Sequence, residues 1–319
     1  MTYWFDVSAA ALVVALWIDF VWGEPPARWH PVVWMGRYLD WVAPWFAPQV
    51  HGALTFSNQR AFFEGMVFWF VGAVACVCVA LALTHVVDVL PFGIAVVIMA
   101  IGLKPLFAWT LLFREVQAVE LALSDSLEAA RARLAWLCSR DVSQLSAAEV
   151  RETAIETLAE NLNDSVVAPL FWFVMFGLPG AVVYRFSNTA DAMWGYNGQR
   201  GKHDWRWAGK WAARADDVLS WVPARLTAAL LALMAGGVSL RALRREAVKT
   251  PSPNSGWPMA AMALALDVHL GKPQVYCLHP DGQSPQKNDT EWALHLSQRV
   301  VWVVGLIGFV VIEIAKVQI

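Results

Sequence analysis

The chain has 319 residues, of which 58% are hydrophobic and 16% are charged, and its formal net charge is −2. A soluble globular protein has about 45–50% apolar and about 25% charged residues, so the apolar excess predicts a protein embedded in lipid. The charge balance excludes the basic face that nucleic-acid binding requires. The four cysteines include no CxxC pair, so neither a zinc site nor a disulfide framework is predicted.

Runs of about 20 mostly apolar residues predict the membrane segments, because such a run spans the hydrocarbon core as a helix. About four to six segments are predicted, in chain order 8–22, 65–84, 92–113, 165–183, 218–237 and 300–317. The predicted fold class is all-α, a polytopic membrane helical bundle with long polar helical loops that forms one integral membrane domain over 1–319. Two loop segments, 114–135 and 144–160, are predicted to be helices.

The segment 165–183 has the length of a span but contains Pro169 and the break Gly177-Leu178-Pro179-Gly180. Basic loops flank it on both sides, at 114–164 and 184–217, and a full crossing would put one of them on the outer side of the membrane. We therefore predict that this segment is re-entrant or broken, and that it either enters the membrane and returns or lies buried against other helices.

A row of acidic residues lies on the predicted helix 144–160, which Ser146 and Glu149 open as a capping box. Three glutamates recur at four-residue spacing, so a helix places them on one face, and an amide and a further carboxylate follow. Oxygen-rich clusters of this kind suit Mg²⁺. The predicted metal ligands are Glu152, Glu156, Glu160, Asn161 and Asp164. The alternative is a solvated acidic helix face.

A second polar block, YRFSNTADAMWGY, occupies 184–196. Asn188 and Asp191 are three residues apart and share a helical face. Arg185 could hold a phosphate or carboxylate through two parallel hydrogen bonds. The alternative is that Asn188 caps a helix that begins there, although this leaves Arg185 and Tyr196 unexplained.

A third block, 213–227, places Asp216 and Asp217 directly before a predicted span that contains Arg225. The aspartates could provide a second metal or phosphate contact. The alternative is a structural Asp–Arg pair that neutralises a buried charge.

Two further motifs have simple structural explanations. In SPNSGWP at 252–258, Asn254 offers a donor and an acceptor and Gly256 permits close backbone approach to a ligand, but an ordinary turn explains both. In the aromatic stretch 19–37, His30 precedes a proline and could contact a substrate; a membrane-boundary residue is the alternative.

Taken in order, these segments resemble the CobD/CbiB family, the adenosylcobinamide-phosphate synthases of cobalamin biosynthesis, across nearly the whole chain. The matching segments are DFVWGEPPARWHPVVWMGR at 19–37, SRDVSQL at 139–145 with ETLAENLNDSVVAPLFW at 156–172, YRFSNTADAMWGY at 184–196, AARADDVLSWVPARLTA at 212–228 and SPNSGWPMAAMALAL at 252–266. The chain departs from the family pattern at Asp164-Ser165, where an Asp-Gly pair is usual, and in 197–211 and 277–291.

The resemblance implies an enzyme that uses ATP and Mg²⁺ to join a propionate of adenosylcobyric acid to aminopropanol or its phosphate. ATP would convert the carboxylate into an acyl phosphate, from which the amine displaces phosphate, so the site must neutralise charge and position both reactants. The implied catalytic residues are Glu156, Asn188, Asp191 and Asp217. The implied substrate- and phosphate-binding residues are Arg151, Arg185, Tyr196, Arg200, Arg225, Asn254, Gly256, Trp257, His30 and Arg37.

The implied partners are membrane lipid, the two substrates and other cobalamin-pathway enzymes, in a bacterial inner membrane with the site on the cytoplasmic side. The departures leave one alternative open, a non-catalytic membrane sensor of the AmpE sort, which is similar to this family. A transporter would need charged residues near the midplane of several spans, whereas most charges here lie in loops. The acidic stretch before residue 165 and the basic stretch after residue 183 are predicted to meet on one side of the bilayer around a hydrated cation.

Overall fold

The structure, a computed structural model, describes residues 2–50 and 57–318, which are almost entirely helical. The helices there are α1 Thr2–Trp22, α2 Pro31–Phe46, α3 Asn58–Asp88, α4 Phe92–Leu103, α5 Trp109–Leu123, α6 Leu127–Leu134, α7 Ala147–Leu162, α8 Ala168–Trp194, α9 Trp205–Ala208, α10 Lys210–Met234, α11 Leu240–Ala247, α12 Gly256–Leu266 and α13 Lys287–Val317. Two antiparallel hairpins pair β1 Gln199–Arg200 with β2 His203–Asp204, and β3 Leu270–Lys272 with β4 Tyr276–Leu278. Short 3₁₀ turns cover Ala27–Trp29 and Lys104–Leu106, and a π-helix covers Asn163–Val167.

Six helical stretches in the described ranges are long and apolar enough to cross a membrane: Tyr3–Trp22, Asn58–Asp88, Phe92–Leu123, Ala147–Trp194, Lys210–Met234 and Lys287–Val317. Large apolar side chains on them face outward; Val67, Val74 and Val79 on α3 are each more than half exposed. Such a surface needs lipid rather than water. The predicted all-α polytopic membrane bundle is therefore confirmed.

Two predicted helices are interrupted. The segment 92–113 breaks at the 3₁₀ turn Lys104–Leu106, because Pro105 has no backbone N–H to continue the ladder of α4. The segment 114–135 also divides, since α6 is a separate helix whose cap, Ser126, accepts the Ala129 N–H at 3.1 Å. In both places a local backbone requirement overrides the apolar or helical pattern.

The predicted break within 165–183 is confirmed. Inside α8, Phe176 and Gly177 leave helical geometry, and the φ of Gly177 is +65°, a conformation that glycine adopts without cost. A Cβ atom on Gly180 would lie 2.4 Å from the carbonyl oxygen of Trp172. In a continuous helix these two residues would be about 12 Å apart along the axis. The chain therefore turns back on itself here.

The chain divides into two compact units, each built from separated stretches. The first unit comprises Met1–Phe107, Pro169–Leu219 and Gly308–Ile319, and the second comprises Ala108–Ala168 and Ser220–Ile307. In the first unit α1 packs on α4, and α3 packs on α2, α4 and α9. In the second unit α7 is central, because α5, α6, α12 and β3 all pack against it. The prediction of one integral domain stays a prediction.

Candidate functional site

The acidic helix α7 is the centre of the candidate site in the second unit. The predicted capping box is present: the Ser146 hydroxyl accepts the Glu149 N–H, and the Glu149 carboxylate accepts the Ser146 N–H at 2.8 Å. Downstream, Glu152 is 7% exposed and Glu156 only 1% exposed. The alternative of a solvated acidic face is therefore wrong for these two residues. A buried carboxylate is costly unless it is paired, so its partners identify what it does.

Glu156 is held between a cation and a phenol. Its Oε2 accepts a hydrogen bond from Arg140 Nη2 at 2.5 Å, and its Oε1 accepts one from the Tyr276 hydroxyl at 2.5 Å. Arg140 also donates to the Thr153 hydroxyl at 3.3 Å. The result is a compact charged cluster that ties α7 to β4 and to the segment before α7.

The pKa values of the two donors keep both of them protonated. Burial alone would lower the pKa of Arg140, but the Glu156 carboxylate outweighs it and raises that pKa above its ordinary value. Burial, followed by the negative charge of Glu156, raises the pKa of the Tyr276 phenol. Both side chains therefore remain hydrogen-bond donors to Glu156 at physiological pH.

Glu152 pairs with a histidine that the sequence did not indicate. His269 Nε2 lies 3.1 Å from Glu152 Oε1, and His269 Nδ1 lies 3.1 Å from the Gly282 carbonyl oxygen. His269 follows α12, whose last turn ends at Asp267 in the left-handed conformation. Together with Tyr276, His269 fastens the β3–β4 region to α7 at two points.

Arg151 lies in a separate ion pair. Its guanidinium forms a bidentate contact with the buried carboxylate of Glu120 at 2.8 and 3.0 Å, and the Thr290 hydroxyl donates to the same carboxylate at 3.0 Å. This geometry links α7 to α5 and gives Arg151 a structural partner. Its predicted phosphate contact stays a prediction.

The oxygen donors at the C-terminal end of α7 fit Mg²⁺ better than the donors in the middle of the helix do. No group of three or more His, Cys, Asp or Glu side chains within residues 2–50 and 57–318 is arranged to hold a metal. Mg²⁺ is, however, usually held by one or two carboxylates with substrate phosphates and water. Glu160 and Asp164 are four residues apart and half-buried, with Asn161 between them. They lie where α7 passes into a π-helix, a feature that is frequent at functional sites. The two oxygens of Glu156 already accept short hydrogen bonds.

Arg225 and the SPNSGWP loop come together in the second unit. Arg225 Nη1 donates to Asn254 Oδ1 at 2.7 Å and Nη2 donates to the Pro253 carbonyl at 3.1 Å. The guanidinium lies over two indole rings, 4.5 Å from the centroid of Trp221 and 4.9 Å from that of Trp257. Within the second unit, Arg225 is therefore anchored by an amide and by aromatic rings. Its suggested pairing with Asp216 or Asp217 stays a prediction.

Gly256 has a packing role. A Cβ atom there would lie 2.0 Å from the Ala247 carbonyl oxygen and 2.5 Å from the Thr250 hydroxyl. The glycine therefore permits a close approach to the backbone at the end of α11. Its predicted ligand contact stays a prediction.

Replacing Gly256 with alanine is expected to lower the free energy of unfolding by about 1–3 kcal/mol, because overpacking against a fixed backbone strains the fold. Thermal unfolding of the purified protein in detergent measures the change. Gly93→Ala is the matched control, since nothing lies within 4 Å of its Cβ position. Equal melting temperatures for the two variants would contradict the packing role.

In the first unit, the block 184–196 lies almost entirely within α8. Asn188 and Asp191 are interior helical residues, so the alternative that Asn188 caps a helix is wrong. Beyond the helix, the Arg200 guanidinium lies 3.8 Å from the centroid of the Tyr196 ring and donates to the Ala192 carbonyl at 3.3 Å. Two of the predicted binding residues, Tyr196 and Arg200, are therefore brought together.

Other predicted residues of the first unit are dispersed over its helices. Arg185 and Asp217 are half-buried, on α8 and α10, and Arg37 is exposed on α2. His30 caps α2, with Val32 N–H donating to its Nδ1 at 3.3 Å, and its Nε2 lies 2.9 Å from Glu24. That contact gives His30 a structural task; its substrate contact stays a prediction.

Lys104 completes the network of His30. The residue as a whole is 3% exposed. Its Nζ lies 2.7 Å from Glu24 Oε1 and 3.0 Å from Asp19 Oδ1. It also donates to the Phe107 carbonyl at 3.2 Å. The network therefore joins the end of α1 to the turn after α4.

The second unit thus contains all five predicted metal ligands and five other predicted residues: Glu152, Glu156, Glu160, Asn161, Asp164, Arg151, Arg225, Asn254, Gly256 and Trp257. The first unit contains Asn188, Asp191, Arg185, Tyr196, Arg200, Asp217, His30 and Arg37. That both sets serve one site around one cation stays a prediction.

Comparisons with known proteins give one consistent family. A family model described as CobD/Cbib protein matches residues 12–301. The chain is 39% identical over 277 residues to the probable cobalamin biosynthesis protein CobD of Methanothermobacter thermautotrophicus, which covers 85% of this chain and 86% of that protein. It is 36% identical over 296 residues to the protein of the same name from Pyrococcus furiosus, with 92% and 93% covered. The cobalamin biosynthesis protein CobD of Chromobacterium violaceum is 36% identical over 308 residues, with 92% and 94% covered. No solved structure matches the chain.

Proposed function

The chain belongs to the CobD/CbiB family, and from that premise we propose that it is an ATP-dependent amide ligase of cobalamin biosynthesis. The relatives are named for cobalamin biosynthesis, which supports a biosynthetic enzyme. The proposed reaction joins a propionate of adenosylcobyric acid to aminopropanol or its phosphate and gives adenosylcobinamide or its phosphate. We propose a location in a bacterial inner membrane with the site on the cytoplasmic side.

The observation that carries the proposal is the buried charged cluster on α7. Only 16% of the residues are charged, yet Glu152 and Glu156 lie buried in the centre of the second unit with Arg140, Tyr276 and His269 around them. Buried ionisable groups are expensive in an apolar protein and commonly mark function.

Different residues of the second unit would bind the metal, bind the phosphate or carboxylate, and position other side chains in such a ligase. Glu160, Asn161 and Asp164 are the oxygen donors that would hold Mg²⁺ with nucleotide phosphates. Arg225 is oriented by Asn254 and two indole rings, which prepares a planar cation for phosphate or carboxylate. Glu156 orients Arg140 and Tyr276. Bound ATP would supply the activation that a carboxylate needs before an amine can replace its oxygen.

The test is phosphate release from ATP by the purified full-length protein in detergent. We expect turnover that requires both the corrinoid carboxylic acid and the amine, with amide product in equal amount. The AmpE-like alternative predicts no turnover with any combination. Formation of amide without ATP consumption would also contradict the proposal.

The metal assignment has its own variants. Glu160→Gln and Asp164→Asn are each expected to raise the Mg²⁺ concentration needed for half-maximal turnover by about tenfold or more, because each removes an anionic ligand. Glu128→Gln, at an exposed carboxylate of α6, is the matched control and should leave the Mg²⁺ requirement unchanged. If the Mg²⁺ requirement is unchanged in both test variants, Glu160 and Asp164 do not bind the metal.

A further inference from the structure

A cavity of about 550 Å³ lies in the second unit between the start of α7 and the β3–β4 hairpin. This volume is within the range of roughly 300–1,000 Å³ that small-molecule sites occupy. Its walls include Glu149 and Glu152 on the helix side and Lys272, Tyr276 and Cys277 on the hairpin side. The lining therefore has charged groups of both signs.

The cavity is held open by contacts on β4 and on the residue that directly precedes β3. The Tyr276 hydroxyl is bonded to Glu156, and His269, which precedes β3, is bonded to Glu152. Lys249 Nζ donates to the Cys277 carbonyl at 3.3 Å on the other edge. Because the walls are fastened in this way, the site is formed before a ligand arrives, which lowers the entropic cost of binding.

The two carboxylates present a negative wall. Glu149 and Glu152 are three residues apart on α7. This spacing places them on one face of the helix with their Cβ atoms about 5–6 Å apart. Ser146 fixes the position of Glu149 through Oε2, and His269 fixes Glu152 through Oε1. The other oxygen of Glu152, Oε2, faces Gly271, where an added Cβ would lie 3.8 Å from it. Because residue 271 has no side chain, it places no atom between this oxygen and the cavity, which Glu152 and Gly271 both line.

Lys272 supplies a positive charge on the opposite wall. It is exposed, lines the cavity and ends β3, opposite Tyr276 in the register. A simple cation would gain from the carboxylates but would be repelled by Lys272. A ligand that carries a cation at one end and an anion at the other is complementary to both walls.

We propose that this cavity binds a small zwitterion, with its primary ammonium against Glu149 and Glu152 and its anionic group against Lys272. The biological identity of this ligand rests on the proposed function, because an aminoalkyl phosphate is one form of the amine substrate of the proposed ligase. The ammonium group is bound by charge-assisted hydrogen bonds, which are stronger than neutral ones.

Cys277 makes the test independent of catalysis, because its thiol lines the cavity and can report occupancy. The starting protein carries Cys76→Ala, Cys78→Ala and Cys138→Ala, so that Cys277 is its one remaining cysteine. Burial and the nearby Glu152 carboxylate raise the pKa of the Cys277 thiol, so alkylation by the neutral reagent iodoacetamide is followed at mildly alkaline pH. Intact-mass measurement gives the alkylation rate of the full chain in detergent.

O-phosphoethanolamine is expected to slow this alkylation in a saturable way. Ethanolamine and propyl phosphate each lack one charged end and should need about tenfold higher concentrations, since one charge-assisted contact is lost. Glu152→Gln and Lys272→Gln should each raise the half-protecting concentration about tenfold. Lys287→Gln, at an exposed lysine of α13 outside the cavity, is the matched control and should leave it unchanged. Gly271→Val, which fills the space before Glu152, should abolish protection.

The exposed position of Lys272 keeps the test decisive even if Glu152→Gln disturbs folding. Absence of saturable protection, equal protection by MgCl₂ or propyl phosphate alone, or wild-type protection in Lys272→Gln would each overturn the proposal. The phosphate-release assay separates the two hypotheses. Turnover without protection would remove this site but leave the ligase, and protection without turnover would leave the site but remove the ligase.

Discussion

Replacing Glu156 with alanine is expected to reduce ATP-dependent amide formation by at least about 100-fold, because Arg140 and Tyr276 would lose the group that positions them. The variant also leaves a largely buried guanidinium without its carboxylate, and breaking a buried pair costs about 3–5 kcal/mol. Membrane insertion should persist, since six apolar stretches hold the chain in lipid. Amide formation is measured by product analysis, and insertion by the fraction of the protein recovered in washed membranes.

A positioning role and a metal-ligand role for Glu156 predict different behaviour of the variants. If Glu156 acts through Arg140, the double variant Arg140→Gln/Glu156→Gln should lose no more activity than the worse single variant, because the pair works as one unit. If Glu156 is a metal ligand, Glu156→Gln should raise the Mg²⁺ requirement whereas Arg140→Gln should not. An active Glu156→Ala variant would remove this carboxylate from the mechanism altogether.

Replacing Lys104 with methionine is expected to lower the free energy of unfolding by about 3–5 kcal/mol, the cost of leaving buried charges without their partner. The lysine side chain is 4% exposed and that of Asp19 is 2% exposed, so water cannot replace the lost ammonium. Thermal unfolding in detergent should show the loss as a large fall in melting temperature. Lys202→Met, at an exposed lysine of the first unit, is the control; matching melting curves for the two variants would contradict a stabilising network.

The dependence of the melting temperature on pH in the acidic range offers a second readout of this network. Burial alone would raise the pKa of Glu24, but the hydrogen bond from His30 and the charge of Lys104 outweigh it, so the pKa is lowered. A lowered folded-state pKa contributes stability that is present above the unfolded value of about 4.3 and is lost as pH falls through the folded value. The melting temperature of the wild type should therefore decrease as the pH is lowered through this range. The melting temperature of Glu24→Gln should decrease less.

Composition and apolar run length are sufficient to predict the membrane architecture. Five of the six predicted segments fall within the helical stretches that the structure describes, and the sixth, 218–237, overlaps Lys210–Met234 and extends three residues beyond it. The agreement arises because a span requires only enough apolar length. The break at Gly177 was also predictable, since glycine and proline change the backbone wherever they occur. The helix boundaries were less predictable, as the turn at Lys104 and the cap at Ser126 show.

The candidate site was predictable in its acidic half but not in its partners. The spacing of Glu152, Glu156 and Glu160 is a local property of one helix. Tyr276 lies 120 positions from Glu156, and no periodicity connects residues that far apart. Arg140 lies within SRDVSQL, a segment that the family resemblance had marked, so it was the one partner with a signal in the sequence.

The sequence by itself determined that this chain is a helical membrane protein of the CobD/CbiB family, because hydropathy and ordered motifs are read along the chain without knowledge of its folding. Only the tertiary structure decided which charges are buried and what neutralises them. Pairings such as Glu156 with Arg140 and Tyr276, or Lys104 with Asp19 and Glu24, depend on helix packing in three dimensions. The packing also decided the task of Gly256, whose close neighbour is a backbone carbonyl.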